Sequence, residues 1–178
     1  PFHPHDENPT LHYQTDLDLI KRLDELGYDE AWIGEHHSGG WEMVGSPELF
    51  CAVAAERTKH IKLCTGVVSL PYHHPLMIAD RMVQLDHLTR GRIKFGVGPG
   101  ALANDAHMMG IDHMNMRRMM EESLDAIIAL LRDEGPGSGS RGCTAENLTN
   151  GVEGREGAEQ KQCAAFAIMH ELFAVILT

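Results

Sequence analysis

The apolar positions at the start of the chain follow two different periods. Between Thr15, which opens a capping-box pattern, and Gly27, a typical helix stop, leucine and isoleucine recur at helical spacing. Residues 30–34 then form a short apolar run of the kind found in buried strands. The pattern therefore predicts a helix followed directly by a strand.

The alternation of helix and strand continues to about residue 134. Ser46-Pro47 and Pro75 place a proline in a first helical turn, and Gly91 ends the connection that Pro75 begins. The predicted strands are residues 30–34, 61–68 and 92–97, and the predicted helices are about 15–26, 47–58, 75–90 and 116–131. Strands that alternate with helices predict βα units and a parallel sheet.

Polar side chains collect directly after each predicted strand, in residues 35–37, 69–74 and 98–107. In a parallel α/β fold the carboxyl ends of the strands share one edge, and ligands bind there. We therefore expect one functional site built from these three segments.

The amino-acid composition of the chain changes after residue 134. Residues 135–140 have the composition of a linker, and 7 of the 18 glycines lie in residues 135–178. We predict a folded part over residues 1–134 and a Gly/Glu-rich tail over residues 135–178, in which only residues 163–177 could form a short helix.

Composition and charge narrow the classes of function. The 178 residues include 15 basic and 26 acidic side chains, a formal net charge of -11, which argues against nucleic acid or an anionic membrane surface as partner. No apolar run reaches the ~18 residues that a membrane span needs. The four cysteines lack CxxC spacing, and Cys51 and Cys64 have apolar neighbours, so we expect free thiols in a cytoplasmic protein.

Glu35-His36-His37 is the strongest candidate for chemistry. An imidazole at a strand end can act as a general base or hydrogen-bond a reactive species, although it could instead cap loop backbone. Neighbouring residues on an extended chain point in opposite directions, so both imidazoles rarely bind one metal ion.

Two glycine-containing segments are weaker candidates. In Thr65-Gly66-Val67 the glycine marks either a close approach of backbone to a ligand or a bulge. Gly98-Pro99-Gly100 lacks the third glycine of a dinucleotide fingerprint, so it is a plain turn or a flat wall for a planar ring.

Other histidines and the methionines leave alternatives open. His3 and His5, with His36, could belong to a metal-dependent barrel hydrolase, whereas His73 and His74 lie between prolines and suggest a solvated loop. A methionine cluster could line an apolar pocket, but helix core is the more ordinary interpretation. The cluster is Met108, Met109, Met114, Met116, Met119 and Met120.

The order of these motifs resembles the bacterial luciferase-like flavin monooxygenases, and within them the limonene-monooxygenase-like members. The motifs are Glu35-His36-His37, Thr65 to Pro71 leading to His74-Pro75, Leu85-Asp86-x-Leu88-x-x-Gly91-Arg92, Phe95-Gly96-Val97-Gly98, and Met109-Gly110-Ile111-Asp112 before Arg117-x-x-x-Glu121. The resemblance covers residues 1–134.

The resemblance implies an α/β fold, a (β/α)8 barrel that uses reduced FMN from a flavin reductase, with O2, to oxygenate a small apolar organic substrate. It implies a cis peptide bond at Gly66–Val67, and Gly98 stands where luciferase has a reactive cysteine. By position, the candidate catalytic residues are His36 and His37, and the candidate cofactor-binding residues are Thr65, Gly66, Val67, Gly98, Pro99 and Gly100. FMN and a deazaflavin remain alternatives, and we predict no metal.

The length of the chain departs from this family. A complete barrel needs about 250 residues, so we interpret the chain as the N-terminal βα units only, without the first strand. Open sheet edges favour a homo-oligomer, or a non-catalytic product that self-associates. We expect Ile33, Val67 and Phe95 to lose partners inside the incomplete barrel.

Overall fold

A computed structural model describes residues 2–132 and 173–175. The helices are α1 (Pro9–Glu25), α2 (Pro47–Arg57), α3 (Pro75–Thr89), α4 (Ala103–Met108) and α5 (Met116–Leu131). The strands are β1 (Glu30–Ile33), β2 (Lys62–Thr65), β3 (Val68–Ser69), β4 (Ile93–Gly98) and β5 (Phe173–Val175). Short 3₁₀ turns occupy Leu70–Tyr72 and His113–Asn115.

The strands form one parallel sheet in the order β1-β2-β4-β3, and β5 pairs with β4. The predicted βα alternation and parallel sheet are therefore confirmed. The strand predicted over residues 61–68 is two strands separated by Gly66–Val67, whose peptide bond is cis, as the resemblance implies.

Helix α1 begins at Pro9, so the predicted start at Thr15 is wrong. The Asn8 side chain accepts a hydrogen bond from the Thr10 amide at 2.9 Å, which caps the helix just before a proline at its first position. The buried face of the first turns carries His12 and Asp16 in place of apolar residues. The hydrophobic period therefore starts later than the helix itself.

One face of the sheet packs against helices and forms the core. Ile33, Leu63 and Phe95 are buried there in one cluster with residues of α2, α3 and α5. The expectation that Ile33 and Phe95 would lose partners is therefore wrong, because alternation along the strands turns them toward the helices. The opposite face leaves Trp32 41% exposed and Val67 partly exposed.

The tail contributes a strand to the sheet. β5 lies parallel to β4, with Phe95 opposite Phe173 and Val97 opposite Val175. The helix suggested for residues 163–177 is wrong for these three residues, and the rest of the tail lies outside the described residues. Along the outer edge of β1 the described part of the chain supplies no strand partner.

The two cysteines of the described chain behave as buried free thiols, as expected. Burial raises the pKa of Cys64 to about 12 and raises that of Cys51 further. Cys143 and Cys163 lie outside the described residues. Among the helices of residues 2–132, none combines the length and apolar character required to cross a bilayer.

The methionine cluster divides between core and surface. Met116 and Met120 are buried on α5, as the core interpretation requires, and Met119 is partly buried. Met108, Met109 and Met114 are exposed, so the core interpretation is wrong for these three.

The Asp24 carboxylate joins α1 to the start of β2. It accepts backbone hydrogen bonds from Lys59 (2.8 Å), His60 (2.8 Å) and Ile61 (2.6 Å). Partial burial opposes ionisation, but these bonds outweigh it and lower the pKa of Asp24 below its ordinary value of 3.8.

We expect Asp24→Ala to lower the free energy of unfolding by about 1–3 kcal/mol at neutral pH, because three amides lose a charged acceptor. This contribution is present above the ordinary pKa and disappears as the pH falls through the lowered one. Urea unfolding between neutral and acidic pH measures both effects. Asp18→Asn, which alters an exposed carboxylate of the same helix, should cost less than about 0.5 kcal/mol. Equal losses in the two variants would contradict the prediction.

Candidate active site

Three loops meet at the carboxyl end of the sheet, as the positions of the polar segments predict. They follow β1 (residues 34–46), β3 (residues 70–74) and β4 (residues 99–102). Two acidic side chains accept hydrogen bonds that link these segments: Glu35 joins the first loop to the second, and Asp105, on the helix after the third loop, joins that helix to the first loop.

His36 stands beside the cis peptide. A Cβ atom added to Gly34 would lie 3.4 Å from His36 Nε2 and 3.5 Å from the carbonyl oxygen of Gly66, so the imidazole and this peptide lie close to the same side of Gly34. The His36 amide donates to the Val44 carbonyl at 3.0 Å. Its Nε2 lies 3.0 Å from Glu42 Oε2, so a carboxylate faces the imidazole.

Glu35 is a buried carboxylate shared by two loops. Its Oε1 lies 3.0 Å from His37 Nε2 and 2.7 Å from His73 Nε2, and its Oε2 accepts the Ser69 amide at 2.5 Å. Burial raises the cost of its charge, but the bonds from His73, Ser69 and His37 outweigh this and lower its pKa. The solvated-loop interpretation is therefore wrong for His73, although His74 is exposed.

His36 and His37 point to different partners, as expected for neighbours on an extended segment. The His37 ring also packs edge-on against Tyr72, with ring centroids 5.7 Å apart. The His37 amide donates to Asp105 Oδ2 at 3.2 Å, and the Ser38 hydroxyl donates to Asp105 Oδ1. The ring and backbone of His37 are thus both held, whereas the His36 ring lies near Gly34, on the side that the Gly66 carbonyl also approaches.

The end of β2 presents backbone instead of side chains. The Thr65 hydroxyl donates to the Gly96 carbonyl at 2.8 Å and accepts the Gly96 amide at 2.9 Å, so this buried side chain joins two strands. Gly66 is exposed, and a Cβ there would lie 3.2 Å from the Trp32 side chain. Thr65 therefore places Gly66 and Val67, and direct contact of Thr65 with a cofactor remains a prediction.

Gly98, Pro99 and Gly100 form the turn that leaves β4. A Cβ at Gly98 would lie 2.7 Å from Val67 Cγ2, so this glycine accommodates Val67. Gly100 has φ of +83°, and a Cβ there would lie 2.6 Å from the Tyr72 hydroxyl. The segment packs around Val67 and Tyr72, and its contact with a cofactor remains a prediction.

The histidines of the hydrolase alternative have separate partners. His3 Nε2 lies 2.9 Å from Asp16 Oδ2, the His5 ring packs against Trp41, and His36 pairs with Glu42. Within residues 2–132 no group of three potential ligands is arranged to hold a metal ion.

The described residues suit the ring of a flavin better than its phosphate. Gly66 has no side chain, and it lies with Val67 and the exposed Trp32 near His36. We call these three residues the ring wall, because a planar ring can pack closely against them. The three strand-end loops contain no lysine or arginine, and neither do the adjoining residues 66–69 and 103–115. An anionic phosphate would need a partner from another part of the protein.

Sequence reasoning missed the residues that hold the loops together. Glu35 was visible within its motif, but its role as a shared acceptor depends on Ser69 and His73, which are distant in sequence. Asp105 had no sequence signal beyond its place in the polar segment after the third predicted strand. A short helix, α4, presents it.

This geometry defines a βα protein with a candidate site at the carboxyl ends of its parallel strands, and the comparisons with known proteins identify its family. The luciferase-like monooxygenase family matches residues 2–150. The chain belongs to this family.

Two curated relatives are close in sequence. The chain is 58% identical over 134 residues to limonene 1,2-monooxygenase of Rhodococcus erythropolis, covering 75% of this chain and 35% of the relative. It is 57% identical over 136 residues to 4-hydroxyprotoasukamycin monooxygenase of Streptomyces nodosus subsp. asukaensis, covering 76% and 37%. The chain therefore spans about a third of the length of these relatives.

A solved structure confirms the fold class. The oxygenating constituent of 3,6-diketocamphane monooxygenase from Pseudomonas putida, in complex with FMN, superposes with a TM-score of 0.72 at 29% identity. The match covers 75% of this chain and 39% of that one. Neither the hydrolase alternative nor the non-catalytic alternative gains support from these comparisons.

We expect Gly98→Ala to destabilise the protein by about 1–3 kcal/mol, because its methyl group would overlap Val67 Cγ2. In a Val67→Ala background the same substitution should cost less, since the obstructing methyl groups are gone. Urea unfolding of the double-mutant cycle measures the coupling. Gly39→Ala, where a Cβ has 3.9 Å of clearance, is the control. Additive costs would show that Val67 does not set the requirement for glycine.

Proposed function

We propose that the full-length protein containing this chain oxygenates a small apolar organic molecule with O2 and reduced FMN, and that a flavin reductase supplies the reduced FMN. The observation that carries this proposal is the His36 imidazole beside the exposed Gly66–Val67 peptide. Family membership supports it. The two close relatives are named for limonene and for 4-hydroxyprotoasukamycin, so the particular substrate does not follow from identity.

The residues divide the work at this site. Gly66, Val67 and Trp32 would face the flavin ring, with Gly98-Pro99-Gly100 supporting Val67. Bound reduced FMN would supply the electrons that activate O2. His36 would hold or transfer a proton next to the ring, with Glu42 balancing its charge. His37, bound through its ring and its amide, would orient His36.

We further propose that residues 1–134 belong to the barrel and that residues 135–178 form a tail outside the family domain, although the family match continues to residue 150 and Phe173–Val175 add a strand to the sheet. The outer edge of β1 has no strand partner within the described chain, and an edge of this kind can pair with another strand. This edge supports the proposal that the chain associates into a homo-oligomer. We also propose that the protein is cytoplasmic.

We expect His36→Ala in the full-length protein to lower product formation by about 10²–10⁴-fold, the range for loss of a general acid or base. Flavin affinity should change by less than about threefold, because Gly66, Val67 and Trp32, which form the ring wall, are unchanged in this variant. Product yield per reduced flavin and a flavin titration separate these effects. His74→Ala, an exposed histidine of a neighbouring loop, is the control. An unchanged yield in His36→Ala would remove His36 from the mechanism.

We expect the 178-residue chain alone to bind reduced FMN only weakly, with a dissociation constant above the micromolar range, and to form no product. Its strand-end loops offer a ring wall but no cation for the phosphate. Titration and an oxygenation assay on the purified monomer, beside the full-length protein, are the measurements. Micromolar affinity with turnover in the monomer would contradict the prediction.

A further inference from the structure

Asp105 reaches from α4 to the loop that carries His36. The residue is only 2% exposed, and its two carboxylate oxygens are used separately. Oδ2 accepts the His37 amide at 3.2 Å, and Oδ1 accepts the Ser38 hydroxyl. Both donors lie in the β1–α2 loop, so one buried carboxylate links the loop after β1 to the helix after β4.

The backbone on each side of His36 is therefore held by a different carboxylate. On the preceding side, Glu35 is bound to the Ser69 amide and to His73. On the following side, Asp105 accepts the His37 amide and the Ser38 hydroxyl, and Glu35 binds only the ring of His37. Removing the Asp105 side chain would release this contact and leave β3 unchanged.

The chemistry of the contact favours a carboxylate. Two donors, an amide and a hydroxyl, converge on one short side chain, and each reaches a different oxygen of the carboxylate. Asparagine offers one acceptor oxygen, so it can accept the His37 amide while the Ser38 hydroxyl accepts from the asparagine NH2. Alanine offers neither group. The three side chains thus form a graded series.

We propose that Asp105 is a positioning residue, which acts through His37 and Ser38 to keep the His36 imidazole beside the Gly66–Val67 peptide. This inference rests on the proposed function of His36. A misplacement of about 1 Å at a reacting group can cost roughly 10²-fold in rate, so a contact of this kind affects chemistry more than flavin binding.

The test uses four variants of the full-length protein: Asp105→Ala, Asp105→Asn, Ser38→Ala and the control Asp112→Asn. Asp112 caps the next 3₁₀ turn, accepting from the Met114 amide at 3.0 Å, and is exposed. Three quantities are measured: product per reduced flavin oxidised, flavin affinity, and the NMR signals of the His36 ring in flavin-free protein.

We expect product yield to fall about tenfold or more in Asp105→Ala and about threefold in Asp105→Asn and Ser38→Ala, with flavin affinity within about threefold of wild type. The His36 ring signals should shift in the same order. Asp112→Asn should match the wild type in all three measurements. Partial rescue by asparagine distinguishes positioning from a general loss of folding.

An unchanged yield and unshifted ring signals in a folded Asp105→Ala protein would overturn the inference. A fall in product yield that is matched by an equal fall in flavin affinity would also overturn the inference. If Asp105→Ala does not fold, Asp105→Asn and Ser38→Ala decide by the same criteria. If the wild type forms no product, the proposed function fails, and the ring signals of the flavin-free variants still decide whether Asp105 positions His36.

Discussion

The burial of the Glu35 carboxylate is the constraint on which the rest of the site depends. A carboxylate that is 4% exposed needs compensating donors, and it finds them in Ser69, His73 and His37. These donors come from β3, from the turn after it and from the β1–α2 loop. Satisfying one charge therefore brings two loops together, and His36, the next residue after Glu35, is placed as a consequence.

The side chains of Thr65 and Trp32 pack closely against glycines on the sheet face that no helix covers. Thr65 exchanges two hydrogen bonds with Gly96, and a side chain at Gly96 would overlap the Thr65 carbonyl. Trp32 covers both Gly66 and Gly96, and it remains exposed because alternation turns it away from the helices. At the carboxyl end this face presents the Gly66 backbone beside the Trp32 indole, which is suited to a planar ring, and the Glu30–Lys94 ion pair lies toward the other end of the strands.

The chain carries one part of the chemistry expected of its family. It holds a histidine beside the ring wall and the two carboxylates that orient the surrounding loops. Its strand-end loops hold no cation, and it spans about a third of its relatives' length. This division agrees with the proposed function, in which residues of the first βα units would handle the proton and another part of the protein would bind the phosphate.

The sequence alone determined the βα order, the parallel sheet and the family, because periodicity, proline and glycine signals and the Glu35-His36-His37 motif are local. It also located the cis peptide through the resemblance.

The sequence misplaced the start of α1, since His12 and Asp16 occupy a buried face that apolar residues normally fill. It could not assign Ile33 and Phe95 to the helix side, because both faces of a barrel strand are apolar. Only the tertiary structure showed that Ser69, His73 and Asp105 complete the site. Their contacts join residues 34 to 68 positions apart, which no local pattern encodes.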